Sequence, residues 1–162
     1  MARRRSDDPR KFFSPEEQQR LVAAIAAAER RTSGEIRVHV ERTVPDAPPA
    51  SGDPYVRARQ VFAELGMHRT AERNGVLVYL ATRSRRFAVV GDEELHRRVG
   101  DGFWRDVVDL MAAAFREGRF AEGLEQGIAL IGEKLREHFP HRDDDVNELS
   151  DEISFGRDRD DG

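Results

Sequence analysis

Residues 73–104 constrain the fold of this 162-residue chain more than any other stretch. Gly75–Ala81 is almost continuously apolar, which is typical of a strand that is covered on both faces. Residues 82–85 are polar and predict a turn, after which Arg86–Gly91 is expected to return antiparallel. An acidic segment with one histidine follows directly. A central strand of this kind requires packed layers on both sides of a sheet.

The segments around this core alternate between helical and strand patterns. Ser14 and Glu17 form a predicted capping box around Pro15, so a helix is expected to begin there. Glu35–Glu41 alternates strictly between polar and apolar residues, which predicts a strand with one buried face and places His39 in solvent. The spacing of apolar residues predicts further helices over residues 54–66, 92–99, 102–117 and 120–138.

These patterns predict one α/β domain, a three-layer α/β/α sandwich in which a small mixed sheet carries helices on both faces. The first two strands are joined by a helix and should be parallel, whereas the third should be antiparallel to the second. The predicted domain spans residues 14–139. Residues 1–13 are expected to be a basic, flexible N-terminus, and residues 140–162 an acidic, mostly disordered tail. Alternatively, residues 152–155 of this tail dock as a short extended piece.

Glycines in the last predicted helix indicate a close contact. Gly123 and Gly127 lie one turn apart, and each lowers helix stability relative to alanine. A second helix that approaches closely would compensate for this loss. Trp104 is expected to be part of the core rather than a platform for stacking a ligand.

Composition excludes several classes of protein. The chain has no cysteine, so disulfides, thiolate zinc sites and cysteine nucleophiles are excluded. It has no run of about 18 apolar residues that could span a membrane and no apolar secretion signal, so a cytoplasmic location is expected. Residues 140–162 hold nine acidic residues against three arginines, and no basic stripe is present, so nucleic acid is not an expected partner. No dinucleotide or phosphate-loop motif occurs, so no organic cofactor is expected.

Topology is expected to bring polar residues from three segments together. Because the third strand runs antiparallel to the second, its last residue should lie near the beginnings of the first and second strands. One edge of the sheet is therefore expected to carry Glu35, Asn74, Gly91, Asp92 and Glu93.

Three interpretations of this edge stay open. Asp92 precedes a short helix and can cap it, while His96 lies on the surface. Glu35, Asp92, Glu93 and Asp101 could instead bind calcium or magnesium, because hard cations prefer oxygen ligands. Asp92 and His96, four residues apart on one helical face, could also act as a catalytic acid–base pair.

Four short segments resemble the TPM domain family. They are TSGEI at residues 32–36, RNGVL at 73–77, VGD at 90–92 and REGRFAEGL at 116–124. The resemblance spans about residues 14–138 and implies an α/β sandwich, calcium binding as in some members, and weak acid phosphatase activity as in a plant member. Many relatives carry a signal peptide and a membrane helix, which this sequence lacks. This chain also has Glu94 where many members have glycine.

The leading functional hypothesis is a non-catalytic module that binds or regulates another protein, because no complete catalytic constellation is evident. The alternative is a metal-assisted phosphatase in which Asp92 and His96 act together with calcium or magnesium.

Overall fold

The structure, a computed structural model, describes residues 5–141 and 151–156. The helices are α1 (Pro9–Phe12), α2 (Pro15–Glu29), α3 (Pro54–Glu64), α4 (Glu93–Val99), α5 (Arg105–Arg116) and α6 (Phe120–His138), with a 3₁₀ turn at Met67–Arg69. The strands are β1 (Glu35–Glu41), β2 (Gly75–Ala81), β3 (Arg86–Gly91) and β4 (Ser154–Phe155). The predicted helices and the first three strands are confirmed, and the Ser14 capping box is present.

The sheet has the strand order β3-β2-β1-β4. β1 pairs in parallel with both β2 and β4, and β2 pairs antiparallel with β3. β2 therefore lies between β1 and β3, as predicted, and all of its residues are buried.

Each face of the sheet packs against its own helical layer. Val38, Val78 and Val89 lie on the face that packs with α2, α5 and α6. Leu77 and Val90 lie on the opposite face, under α3. Side chains on a strand alternate between faces, so the unbroken apolar run of β2 supplies both cores. The predicted small mixed sheet with helices on both faces is confirmed.

Helices α5 and α6 meet closely at two glycines. A Cβ atom on Gly123 would lie 2.8 Å from the Phe115 ring, and one on Gly127 would lie 2.6 Å from the Met111 sulfur. Real Cβ atoms do not approach other atoms so closely. At Gly123 the Cβ of Ala114 would also lie 2.9 Å away and cannot rotate aside, so this spacing favours glycine. The close helix contact predicted at these two positions is confirmed.

The N-terminal segment is part of the packed domain, which corrects the predicted boundary at residue 14. Phe12 and Phe13 are each 1% exposed, and Phe12 contacts the ring of Phe120 at a centroid distance of 5.0 Å. Arg5 donates two hydrogen bonds to Glu17, at 2.7 and 2.8 Å. Two adjacent phenylalanines outweigh the basic composition of this segment, because burying them stabilises its docking.

Part of the acidic tail docks on the sheet. Ser154 and Phe155 form β4 beside β1, so the alternative interpretation of residues 152–155 is confirmed. Residues 142–150 and 157–162 lie outside the described residues, and the disorder expected there stays a prediction.

His39 is buried, not solvated as the alternation of β1 predicted. It is 6% exposed, with its ring stacked 6.1 Å from that of Tyr79. Its Nδ1 atom lies 2.9 Å from Ser154 Oγ. On this face of β1, His39 is covered by side chains such as those of Tyr79 and Ser154, which are distant in sequence, so the alternating pattern could not reveal this burial.

Candidate functional site

The predicted convergence of residues is observed at the end of the sheet where β1 and β2 begin and β3 finishes. Glu35 pairs in register with Gly75, and Gly91 with Val76. The backbone N–H of Asp92 donates to the Gly75 carbonyl at 2.9 Å. Glu35, Asn74 and Asp92 are at most 3% exposed, so these three polar residues are enclosed by protein.

Asp92 has a structural role at this edge. Its two carboxylate oxygens accept hydrogen bonds from Nε of Arg73 at 3.1 and 3.0 Å. One of them also accepts from the backbone N–H of Glu94 at 2.9 Å, which caps α4. The Asp92 side chain is 0% exposed. The capping interpretation therefore agrees with the geometry, and Arg73 is a partner that the sequence did not indicate.

The other predicted site residues have separate partners. His96 Nε2 lies 2.7 Å from Asp101 Oδ1, and Arg59 donates to Glu93 at 2.7 Å. The side chains of Asp101 and Glu93 are 95% and 67% exposed, whereas that of Asp92 is enclosed. His96 is thus paired with Asp101 rather than with the Asp92 carboxylate. In residues 5–141 and 151–156, no three acidic or histidine side chains form a ready-made metal site.

A different set of carboxylates meets beside β1. Burial raises the pKa of Glu29 to about 10, and the neighbouring side chains of Asp151 and Glu35 act in the same direction. Glu29 also accepts a hydrogen bond from the backbone N–H of Ile36 at 2.9 Å. Asp151 is more than a hundred residues from Glu29 in sequence. The one indication that it could lie near the sheet was that it precedes the predicted extended piece 152–155.

A buried polar network occupies the opposite end of β1. Arg57 donates to both carboxylate oxygens of Glu41, at 2.8 and 3.1 Å, and the Tyr79 hydroxyl donates to the same group. Burial alone would raise the pKa of Glu41, but hydrogen bonds from His39, Arg57 and Tyr79 hold it at about 2. Glu41 is therefore ionised at neutral pH and ties β1 to α3.

An open groove runs along β3 between the two helical layers. Its larger part is a cavity of about 370 Å³, lined by Tyr55, Phe87, Val89, Trp104 and Val108 among others. Tyr55 is 44% exposed and is the one exposed large hydrophobic side chain among the described residues. Trp104 is 7% exposed, so it is a core residue, as predicted, with part of its surface in the groove.

A second cavity of about 280 Å³ extends this groove past Gly91. The two cavities share Tyr55, Gly91 and His96 in their linings, and together they are called the β3 groove. The formal charges around it balance if His96 is neutral: Arg59, Arg97 and Arg105 against Glu93, Asp101 and Asp109. The groove therefore combines apolar walls with a rim of mixed charge.

The floor of the β3 groove is a free strand edge. Backbone groups in an antiparallel pair alternate between facing the partner strand and facing away. The bond from Asp92 N–H to the Gly75 carbonyl fixes this alternation, so Ala88 and Val90 bond to β2. Phe87, Val89 and Gly91 direct their N–H and C=O groups into the groove. No described strand pairs with this edge.

Comparison with known proteins identifies the family. The model of the TPM domain matches residues 6–134. The chain belongs to the TPM domain family. The match begins before residue 14, in agreement with the packed N-terminal segment of this TPM domain. No curated protein matches the chain.

Two solved structures are similar to this TPM domain. The BA42 protein of the psychrophilic bacterium Bizionia argentinensis has 38% sequence identity and a TM-score of 0.83, covering 93% of this chain and 100% of its own. The N-terminal domain of a protein from P. gingivalis has 22% identity and a TM-score of 0.65, covering 83% and 85% of the two chains. The second similarity concerns the fold alone. Among the helices described for this chain, none is long and apolar enough to cross a membrane.

Proposed function

We propose that this TPM domain is a protein-binding module that holds an extended segment of another protein in the β3 groove. The observation that supports this proposal is the free edge of β3, whose outward backbone groups at Phe87, Val89 and Gly91 lie on the floor of an open cavity. Such an edge can bind a peptide that adds one more strand to the sheet.

The walls of the groove suit alternate side chains of the added strand. Tyr55 stands on the α3 side, and Trp104 and Val108 stand on the α5 side. Successive side chains of a strand point in opposite directions. Apolar side chains of the bound segment would therefore contact the α3 wall and the α5 wall in turn. Because the rim charges balance, backbone pairing and apolar contacts should select the partner more than its net charge does.

Replacing Tyr55 by alanine is expected to weaken peptide binding at least tenfold. Exposed tyrosines at the centre of an interface contribute strongly to affinity, and a tenfold loss corresponds to about 1.4 kcal/mol. The probe is a ten-residue peptide selected on the wild-type chain from a random displayed library and followed by fluorescence anisotropy. Glu64→Ala, an exposed change on the same helix outside the groove lining, should leave its affinity unchanged. Selected peptides that bind Tyr55→Ala as tightly as wild type would contradict the proposal.

A divalent cation beside β1 is a second proposal. Glu29, Glu35 and Asp151 are not arranged as a metal site in the described residues, so a cation would have to draw their carboxylates closer together. Glu29, Glu35 and Asp151 are close enough to raise that pKa together with burial. A hard cation is suited to carboxylate oxygens, and calcium or magnesium could replace the proton that otherwise relieves the repulsion among these groups. This location differs from the predicted ligand set, of which it retains only Glu35.

The pH dependence of stability should reveal this site. The folded pKa of Glu29, about 10, lies above the unfolded value of 4.5, so the folded chain retains a proton that the unfolded chain has released. Stability should therefore fall as pH rises from 4.5 towards 10. Between pH 5 and 8 we expect Glu29 to account for about 1–2 kcal/mol of this fall, after discounting for its partial exposure. Glu29→Gln should remove this contribution, whereas the exposed Glu16→Gln on the same helix should not.

The cation is tested in thermal melting scans at pH 8. Millimolar calcium or magnesium should raise the melting temperature of the wild-type chain by mass action, chelator should reverse the shift, and Glu29→Gln should abolish it. If neither ion changed the melting temperature of the wild-type chain, the cation proposal would be contradicted. The proposal for peptide binding in the β3 groove would be unaffected.

The metal-assisted phosphatase stays a prediction. Asp92 is held by Arg73 and by the first turn of α4, and His96 is paired with Asp101. The contacts of Asp92 and of His96 do not favour a phosphatase over a protein-binding module.

A further inference from the structure

The edge of the sheet opposite the β3 groove is occupied by the chain's own C-terminal segment. Residues 153–156, called here the docked segment, run parallel to β1, with Ser154 opposite His39 and Phe155 opposite Val40. The backbone N–H of Gly156 donates to the Val40 carbonyl at 2.8 Å. The docked segment is therefore an added strand of the kind that a peptide ligand would form.

The hydroxyl and glycine of the docked segment make specific contacts. Ser154 Oγ lies 2.9 Å from His39 Nδ1. A Cβ atom on Gly156 would lie 2.5 Å from the Cβ of Glu41, so glycine alone fits beside that buried carboxylate.

The two apolar residues of the docked segment are also placed by specific contacts. Ile153 is 9% exposed and belongs to the main core. The Arg10 guanidinium lies 4.9 Å from the centroid of the Phe155 ring, close enough for a cation–π contact. The binding surface on β1 therefore selects an aliphatic, a hydroxyl, an aromatic and a glycine residue in this order.

The docked segment covers β1 only in part. The ladder with β4 includes His39 and Val40, whereas the ladder with β2 runs over the whole of β1 from Glu35 to Glu41. Along the β4 side, the described β4 ladder does not extend to residues 36–38. A longer strand could therefore pair with more of β1 than the docked segment does, if it displaces the Glu29 carboxylate from the N–H of Ile36.

We propose that the β1 edge is a second peptide-binding site, closed by residues 153–156 and opened when a partner protein supplies an extended segment of the same residue chemistry. This site lies on the opposite edge of the sheet and does not depend on the β3 groove. The docked segment competes from within the chain at an effective concentration on the order of millimolar. A partner segment that pairs with more of β1 displaces the docked segment. A segment that binds β1 less tightly than the docked segment does not.

The test uses the full chain and a fluorescein-labelled peptide with the sequence of residues 147–156, NELSDEISFG. In the chain, Gly156→Leu places a side chain where a Cβ atom alone would lie 2.5 Å from Glu41, so the docked segment should leave β1. We expect the peptide to bind this variant at least tenfold more tightly than wild type in fluorescence anisotropy. The same peptide with leucine as its last residue should bind neither chain.

A milder variant keeps the test decisive if Gly156→Leu does not fold. Ser154→Ala removes the hydroxyl that contacts His39 without adding atoms, and it should give an affinity between those of wild type and the released chain. Tyr55→Ala should leave this binding unchanged, which separates the β1 edge from the β3 groove. Equal peptide affinity in the wild-type and Ser154→Ala chains, or no binding to any variant, would overturn the proposal.

Discussion

Replacing Gly132 by valine is expected to lower the free energy of unfolding by about 3 kcal/mol. Gly132 lies on α6 where it crosses α2, and a Cβ atom there would lie 2.8 Å from the Cβ and 3.3 Å from the Cα of Ala28. Ala28 is buried and its backbone cannot rotate away, so the two helices must separate. Overpacking a core in this way costs about 1–3 kcal/mol, and the gain in helix propensity from removing glycine is smaller.

Urea denaturation at neutral pH measures this loss. Gly102→Ala is the matched control, because nothing lies within 4 Å of the added Cβ atom and an open surface change typically alters stability by less than about 0.5 kcal/mol. An unchanged midpoint for Gly132→Val would mean that α2 and α6 do not pack as closely as described.

Replacing Asp92 by alanine is expected to lower stability by about 2–4 kcal/mol. The change removes the cap of α4, typically worth about 1 kcal/mol, and the hydrogen bonds from Arg73, about 1.5–3 kcal/mol for a charged group. The Arg73 side chain is 42% exposed, so water can solvate it after the change and the total need not reach the upper limit. Asp92→Asn should cost less, since it keeps an oxygen for the cap.

Asp101→Ala is the control for this substitution. Its side chain is 95% exposed and contacts His96 at the surface, so thermal and urea unfolding should both remain close to wild type. If Asp92→Ala were as stable as wild type, the structural role of Asp92 would be wrong, and the metal and acid–base interpretations would regain support.

The elements of the fold could be predicted because local patterns encode them. The apolar run of β2, the turn that follows it and the capping box at Ser14 each depend on residues within a few positions of one another. The shared edge of Glu35, Asn74 and Asp92 could be predicted as well, since the order and direction of strands determine which strand ends meet. Secondary structure and strand topology can therefore be predicted from a single sequence of this kind.

Contacts between distant segments could not be predicted in the same way. The bond of Arg73 to Asp92 requires the position of a side chain that precedes β2, and the proximity of Asp151 to Glu29 requires knowing where the tail docks. The burial of Phe12 was missed because its neighbours are basic. In each case the decisive partner lies outside the local window, so composition was a misleading guide.

The burial of His39 shows the same limit on a strand. Polar residues at alternate positions normally face water, but here Ser154 and Tyr79 supply polar and aromatic contacts from other strands. The β3 groove was missed for a related reason, because a free strand edge exists only after the strand order is known.

Amide hydrogen exchange at β3, measured by NMR with and without a peptide selected on the wild-type chain, tests the proposed function most directly. Phe87, Val89 and Gly91 direct their N–H groups into the groove, whereas those of Ala88 and Val90 already bond to β2. We predict that bound peptide slows exchange at the first three residues at least tenfold and changes the other two far less. A bound peptide that protects amides elsewhere while leaving those of Phe87, Val89 and Gly91 unchanged would contradict the account.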